Sequence, residues 1–216
     1  MTEAYSSTVR RRRSLWQKLR TRPRRAWIQL KVILGFDARH VTPDRLVLEQ
    51  RILPHYGRDA SIDSVLFVGC AWYTSHYWKY FPAKRVWTID SDSRKRKYST
   101  RFYGHVVDSL ECVDRHFDRG FFDLIVCNGV YGWGLNRPDD CERAFRACLS
   151  CLAPGGRLVV GWNETPDRNP APFDSLEVWG EFDRLEPSPL GPSRFRVGPP
   201  DLHVFDFFVK PPQGRL

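Results

Sequence analysis

Four short apolar runs in this chain each end on a glycine, an acid or an amide, which are the residue types that build ligand sites at strand ends. Residues 65–68 (Val-Leu-Phe-Val) run into Gly69-Cys70-Ala71-Trp72-Tyr73. A glycine there lets the backbone turn with positive φ or pass close to a bound group; any strand-to-helix turn could use one for the same reason. Twenty-one residues after Gly69, the run Trp87-Thr88-Ile89 closes on Asp90. A carboxylate at such a strand end can accept hydrogen bonds from both hydroxyls of a ribose. Asp90 could also cap a helix over 91–98, a task for which Asp92 is the nearer candidate. Two further runs end on Asp108-Ser109 and on Asn128-Gly129-Val130. The chemistry suggested is the seating of a nucleoside by several loops at one sheet edge.

Such loops need a parallel sheet to bring them together, and the pattern of the chain supplies one. Apolar runs at 64–69, 85–90, 104–108, 121–127 and 157–162 read as strands, each followed by a helical or turn segment. A short helix capped by Thr74 or Ser75 is expected to reach Phe81, where Pro82 blocks it. The spacing predicts a longer helix over 138–152, stopped by Ala153-Pro154-Gly155-Gly156. Ahead of the first strand, a helix from Thr42 to about Leu53 is expected, with Thr42 as cap and Pro54 as stop. Five strands joined by crossovers imply a parallel sheet covered on both faces. The last quarter differs: a proline-rich stretch with a helix near 173–182, then strand-like pieces at 193–197 and 202–209 around Gly198-Pro199-Pro200, which reads as a hairpin.

Taken in order, these pieces resemble the class I, Rossmann-like, S-adenosylmethionine-dependent methyltransferases over roughly residues 60–210. The resemblance implies an α/β three-layer sandwich with a mostly parallel seven-stranded sheet and an antiparallel C-terminal hairpin. It implies S-adenosylmethionine as cofactor, with Gly69, Cys70, Ala71 and Tyr73 passing beside it and Asp90 and Ser91 at its ribose. Asp108 and the Ser109 amide would meet the adenine, although Asp108 could also be a helix cap. Asn128, Gly129 and Val130 would pass the methionine part. Three positions depart from the family pattern: Phe67 stands where an acid is frequent, and Ala71 and Tyr73 stand where glycine is more frequent. The Tyr73 ring must point away or cover the methionine end.

Methyl transfer is an in-line displacement, so the protein mainly aligns the acceptor and excludes water. Tyr73, Tyr131 and Trp133 are candidates for cation–π contact with a sulfonium. His76, Tyr131 and Glu164 are candidates for a base, and none is singled out, so no catalytic residue is assigned. The acceptor is expected to be a small molecule, or of lipid or saccharide type. The absence of an Asn-Pro-Pro-Tyr sequence after the fourth strand argues against methylation of DNA base amines. The departures at Phe67, Ala71 and Tyr73 leave open a non-catalytic binding module on the same fold. A nicotinamide oxidoreductase is opposed by the missing second and third glycines of the first turn.

Charge divides the chain sharply. Of its 34 Lys/Arg and 25 Asp/Glu, ten basic residues and one acid fall within residues 1–31, so 32–216 holds 24 of each. The division expected is a basic arm, 1–40, and a methyltransferase domain, 41–212. Residues 10–31 mix their charge with Leu15, Trp16, Leu19, Trp27 and Leu30. That pattern suits an anionic membrane surface, nucleic-acid phosphates, or a solvated tail whose last turn packs on the domain. No apolar run approaches the ~18 residues that cross a bilayer, and no secretory signal is read. A cytoplasmic protein, peripheral at a membrane if the arm binds one, is the expectation. Cys148 and Cys151 have Cys-x-x-Cys spacing without a second pair. All six cysteines are expected to be small apolar residues in a reducing compartment, and no metal is expected.

Overall fold

The computed structural model describes residues 39–199 and 202–212, together with Trp27, Leu30 and Lys31. Five strands run parallel in the centre: β1 (Ser64–Val68), β2 (Arg85–Ile89), β3 (Gly104–Val106), β4 (Phe122–Asn128) and β5 (Leu152–Asn163). Three more follow: β6 (Asp183–Arg184), β7 (Arg194–Arg196) and β8 (His203–Val209). The order across the sheet is β3-β2-β1-β4-β5-β8-β6, with β7 also paired to β8. β8 runs antiparallel to β5, β6 and β7, so the expected C-terminal hairpin closes the sheet. The two-residue strand β6 makes eight strands where seven were expected.

Alternation along the strands sorts side chains to the two faces. Leu66, Val68, Ile125, Cys127, Leu158 and Val160 point into one core, which α3 (Pro138–Cys151, after α1, Pro43–Val47, and α2, Leu53–Arg58) covers with Cys141, Phe145, Cys148 and Cys151. Val65, Phe67, Leu124, Val126, Val159 and Phe205 point into the other, covered by the helical segment 43–58 through Leu48, Ile52, Leu53 and Tyr56. Phe67, the residue in place of the expected acid, belongs to this second core and packs on Tyr77, Phe81 and Phe102. The Cys-x-x-Cys pair is fully buried in α3, and burial pushes the Cys151 thiol up to about 12. Cys127 and Cys141 are raised to about 12 by the same cause.

Several expected helices take other forms. The first does not stop at Pro54: α1 (Pro43–Val47) widens into a π-helical turn, Leu48–Ile52, and continues as α2 (Leu53–Arg58). A proline ring collides with the carbonyl four residues earlier in a regular α-helix, and a widened turn is one way to relieve that collision. Thr42 makes no side-chain cap, and its buried hydroxyl has no partner. The segment expected as a helix after Thr74 or Ser75 is turns followed by a 3-10 helix, Tyr77–Tyr80. The aromatic run there is a weak helix former and Pro82 ends it. The helix expected at 173–182 is two 3-10 pieces, Phe173–Ser175 and Glu177–Glu181. Their rings stack instead: Phe173 lies 4.6 Å from Trp162 at 7°, and Trp179 lies 4.4 Å from Phe208 at 10°.

A buried carboxylate ties the antiparallel part together. Asp206, in the middle of β8, is fully buried and accepts from Trp162 Nε1 of β5 at 2.8 Å, Arg194 Nε of β7 at 2.8 Å, and Arg184 of β6. The same two arginines reach Asp174, whose carboxyl is held below the usual range first by the Arg194 hydrogen bond.

Candidate cofactor and acceptor site

Because β1 to β4 are parallel, their C-terminal ends meet at one edge of the sheet, where they open a cavity of about 340 Å³. Gly69, Cys70, Ala71, Tyr73, Asp90, Ser91, Asp108, Ser109, Asn128, Gly129 and Val130 all line it.

Asp90 is anchored there by two backbone amides. Its Oδ2 accepts from the Cys70 amide at 2.7 Å and its Oδ1 from the Asp92 amide at 2.9 Å. One carboxylate thus fixes the turn after β1 against the end of β2, and each oxygen keeps lone-pair capacity. The cap of the 3-10 helix Ser93–Tyr98 is Asp92, which accepts from the Arg94 amide at 3.0 Å, so Asp90 is free of that task. Asp108 accepts from the Ser109 amide at 2.8 Å and pairs with His116 at 2.7 Å. The His116 hydrogen bond, then the Ser109 amide, holds its carboxyl below the usual range. The Ser109 amide is therefore already engaged, and an adenine nitrogen would have to exchange with Asp108 for it.

The glycines leave room rather than fill it. Gly69 has φ +84° and Gly129 φ +69°, where a side chain is strained. A Cβ on Gly129 would meet nothing within 4 Å, and one on Gly69 only Val130 at 3.4 Å. Gly132 answers a different need: a Cβ there would lie 1.9 Å from the Arg168 carbonyl oxygen. That close approach brings Arg168 over the Trp133 ring at 3.6 Å, while Trp133 Nε1 donates to Asn163 Oδ1 at 3.2 Å.

Tyr73 stands in the cavity wall. The Arg45 guanidinium of α1 lies 4.0 Å from its ring centre and donates to the Tyr77 hydroxyl at 2.9 Å; the exposed His40 packs on the same ring at 5.5 Å. Arg45, Lys95, Glu111 and Tyr77 line the cavity but escaped the sequence reading. Arg45 precedes every strand-end motif, and Lys95 sits in a charge run expected to be a solvated helix face. In fact Lys95 Nζ reaches back to the Cys70 carbonyl at 3.3 Å.

The expected base candidates are elsewhere. His76 is buried behind the wall, 3.3 Å from the buried Glu49. The Tyr131 hydroxyl donates to the Ala171 carbonyl at 2.7 Å, and burial raises its pKa, so it neither faces the cavity nor ionises readily. Glu164 is bound by Arg196 at 2.9 and 3.0 Å, which holds its carboxyl low. Trp133, of the three aromatic candidates, lines the cavity with Tyr73; Tyr131 does not. Among the described residues there is no group of three or more His, Cys, Asp or Glu that could hold a metal ion.

A cavity of this size, bounded by two open glycine turns and a twice-anchored acid at adjacent parallel strand ends, fits an adenosyl ligand. The fold is that of the Rossmann-like, class I methyltransferases. Residues 58–160, just under half of the chain, match the family model described as a methyltransferase domain. Solved structures agree on the fold. The N-methyltransferase NodS from Bradyrhizobium japonicum WM9 is 18% identical with a TM-score of 0.59, over 78% of this chain and 97% of that one. A TehB-like methyltransferase from Corynebacterium glutamicum is 22% identical with a TM-score of 0.54, over 90% and 97%. The 1,6-didemethyltoxoflavin-N1-methyltransferase of Burkholderia thailandensis, solved with bound 1,6-didemethyltoxoflavin and S-adenosylhomocysteine, is 16% identical with a TM-score of 0.50, over 81% and 93%. No curated protein sequence matches the chain.

Proposed function

We propose that this protein transfers the methyl group of S-adenosylmethionine to a small-molecule acceptor, and that the eleven strand-end residues lining the cavity hold the donor. The carrying observation is Asp90, whose carboxylate is pre-positioned by two backbone amides at the edge of a cavity that glycines keep open. In this reading Asp90 binds the ribose, Asp108 and Ser109 the adenine, and the 69–73 and 128–130 turns the methionine part. The cofactor supplies an activated methyl and its own leaving group; the protein supplies alignment and a dry site. Tyr73 lies in the wall beneath Arg45 and leaves the cavity open, which favours a ligand-accepting site over a binding module with a plugged pocket. Calorimetry tests the reading: the protein should bind adenosylhomocysteine in the micromolar range and NADH far more weakly. Tight NADH binding with no affinity for adenosylhomocysteine would sink it.

We further propose that the arm, residues 1–40, localises the domain of 41–212 rather than building its site. Its basic stretch, 10–31, lies mostly outside the described residues. Trp27 and Leu30, which are described, are exposed beside Lys31. No helix among the described residues is long and apolar enough to cross a membrane. A cytoplasmic enzyme held at an anionic membrane surface, or at nucleic acid, is consistent with this charge distribution. A chain shortened to begin at Val32 should keep its affinity for adenosylhomocysteine and lose sedimentation with anionic liposomes and with polynucleotides at ~50 mM salt. Whichever of the two the full chain binds identifies the surface. If it binds neither, the localisation proposal is wrong.

A further inference from the structure

The methionine part of the donor carries a carboxylate, and a carboxylate taken out of water needs hydrogen-bond donors or a cation. The turns that would pass it have already used several of their donors. Three successive amides of the turn after β1 are engaged: Gly69 N donates to the Ile89 carbonyl at 2.8 Å, Cys70 N to Asp90 Oδ2 at 2.7 Å, and Ala71 N to Thr74 Oγ1 at 2.9 Å. In the loop after β4, Gly129 N donates to the Gly161 carbonyl at 2.9 Å. With these amides serving the fold, the charge calls for a side-chain partner.

The charged residues that line the cavity are the acids Asp90, Asp108 and Glu111, which would repel a carboxylate, and two cations, Arg45 and Lys95. Lys95 belongs to the 3-10 helix after β2, and its Nζ donates to the carbonyl of Cys70 at 3.3 Å, the residue whose amide Asp90 holds. Arg45 comes from α1 and lies over Tyr73, with its guanidinium 4.0 Å from the ring centre and one N–H donated to the Tyr77 hydroxyl at 2.9 Å. Burial raises the pKa of Tyr77, so that hydroxyl stays neutral and leaves the Arg45 charge uncancelled. Glu49, four residues on and at helical spacing from Arg45, pairs with His76 instead. Arg45 has no carboxylate partner among the described residues, whereas Arg85, Arg157 and Arg196 each have one.

Resting on the donor reading above, we propose that Arg45 binds the carboxylate of the methyl donor and that Tyr73 positions Arg45 for it. This gives the departure at Tyr73 a purpose. A glycine there would let backbone approach the ligand; the ring takes that space and seats a guanidinium in its place. The cation–π contact and the bond to Tyr77 fix the side chain before a ligand arrives, so binding orders little more. The device lies ahead of residues 58–160, the stretch that matches the family model, and belongs to the helical segment that precedes β1. Its consequence is selectivity: an adenosyl ligand without a carboxylate gains nothing from Arg45.

The test is calorimetry on the full-length protein with three ligands: adenosylhomocysteine, its decarboxylated analogue, which keeps the ammonium, and methylthioadenosine, which lacks both charges. The parent should bind adenosylhomocysteine about tenfold more tightly than the decarboxylated analogue, or better. Arg45→Met should lower affinity for adenosylhomocysteine about tenfold and leave methylthioadenosine unchanged, which also shows that the variant is folded. Arg45→Lys should recover part of the loss. Tyr73→Phe keeps the ring and should match the parent; Tyr73→Leu should lose part of what Arg45→Met loses. Added to Arg45→Met, Tyr73→Leu should cost nothing further, because its effect runs through Arg45. Lys95→Met should affect adenosylhomocysteine and methylthioadenosine alike. An Arg45→Met loss shared by methylthioadenosine, no loss at all, or a carboxylate-selective loss in Lys95→Met instead would overturn the proposal and leave the donor reading intact. Additive losses at Arg45 and Tyr73 would overturn the positioning role of Tyr73. Failure of the parent to bind either adenosylhomocysteine or methylthioadenosine would strike the donor reading itself.

Discussion

Replacing Asp90 with alanine should weaken adenosylhomocysteine binding by about tenfold to a hundredfold, equivalent to roughly 1.5–3 kcal/mol for a lost charge-assisted contact. The carboxylate has two tasks in the structure. It presents acceptors to the cavity, and through the Cys70 and Asp92 amides it fixes the turns that follow β1 and β2. Asparagine keeps one acceptor oxygen but turns an NH₂ donor toward one of the two amides, so Asp90→Asn should fall between alanine and the parent. Calorimetry gives the affinity and thermal unfolding separates the two tasks. An alanine variant with a lowered Tm and undiminished affinity would make Asp90 a purely structural residue and remove it from the ribose.

Asp206→Ala should have the largest effect on stability, about 3 kcal/mol, because removing one partner of a buried ion pair leaves charge without compensation. Three groups from three strands converge on this fully buried carboxylate: Trp162, Arg184 and Arg194. Both arginines retain Asp174, which moderates the loss. The indole N–H of Trp162 retains nothing comparable. For a chain of this size the change corresponds to roughly 6–12 °C in Tm. Asp206→Asn, which still accepts from one donor, should lose less. Urea unfolding that shows under about 1 kcal/mol for the alanine variant would mean that the aromatic stack around Phe173 and Phe208, not this network, holds β8 in place.

The strand-end lining of the cavity was legible in the sequence because strand ends write themselves in one dimension. Gly69, Asp90, Asp108 and Gly129 each terminate an apolar run, and parallel strands carry such ends to a common edge whatever the intervening loops do. The wall contributed by α1 had no such rule. Arg45 reaches the cavity because α1 lies across the turn after β1, a contact between segments with no shared spacing. His76 and Glu164 sit near the carboxyl edge in chain position, yet His76 turns inward to Glu49 and Glu164 outward to Arg196. Direction of that kind is set by partners, not by sequence distance. Pro54 misled for a similar reason: a proline costs a regular helix one hydrogen bond and a clash, and a single widened turn absorbed both. The two residues of β6 are too few to carry any alternation at all.

The burial of the cysteines gives the molecule one practical address for labelling. Five of the six thiols are buried, and burial raises those of Cys70, Cys127, Cys141 and Cys151 to about 12 and that of Cys148 well above its ordinary value. Thiolate, not thiol, reacts with alkylating reagents, so these five are slow targets while the fold is intact. Cys112 is half-buried, one turn into the 3-10 helix after β3, with Ser109 Oγ 3.9 Å from its sulfur. A fluorophore or spin label on the native chain therefore reports from beside the cavity, next to its lining residues Ser109, Leu110 and Glu111, and does so without engineering a cysteine out or in.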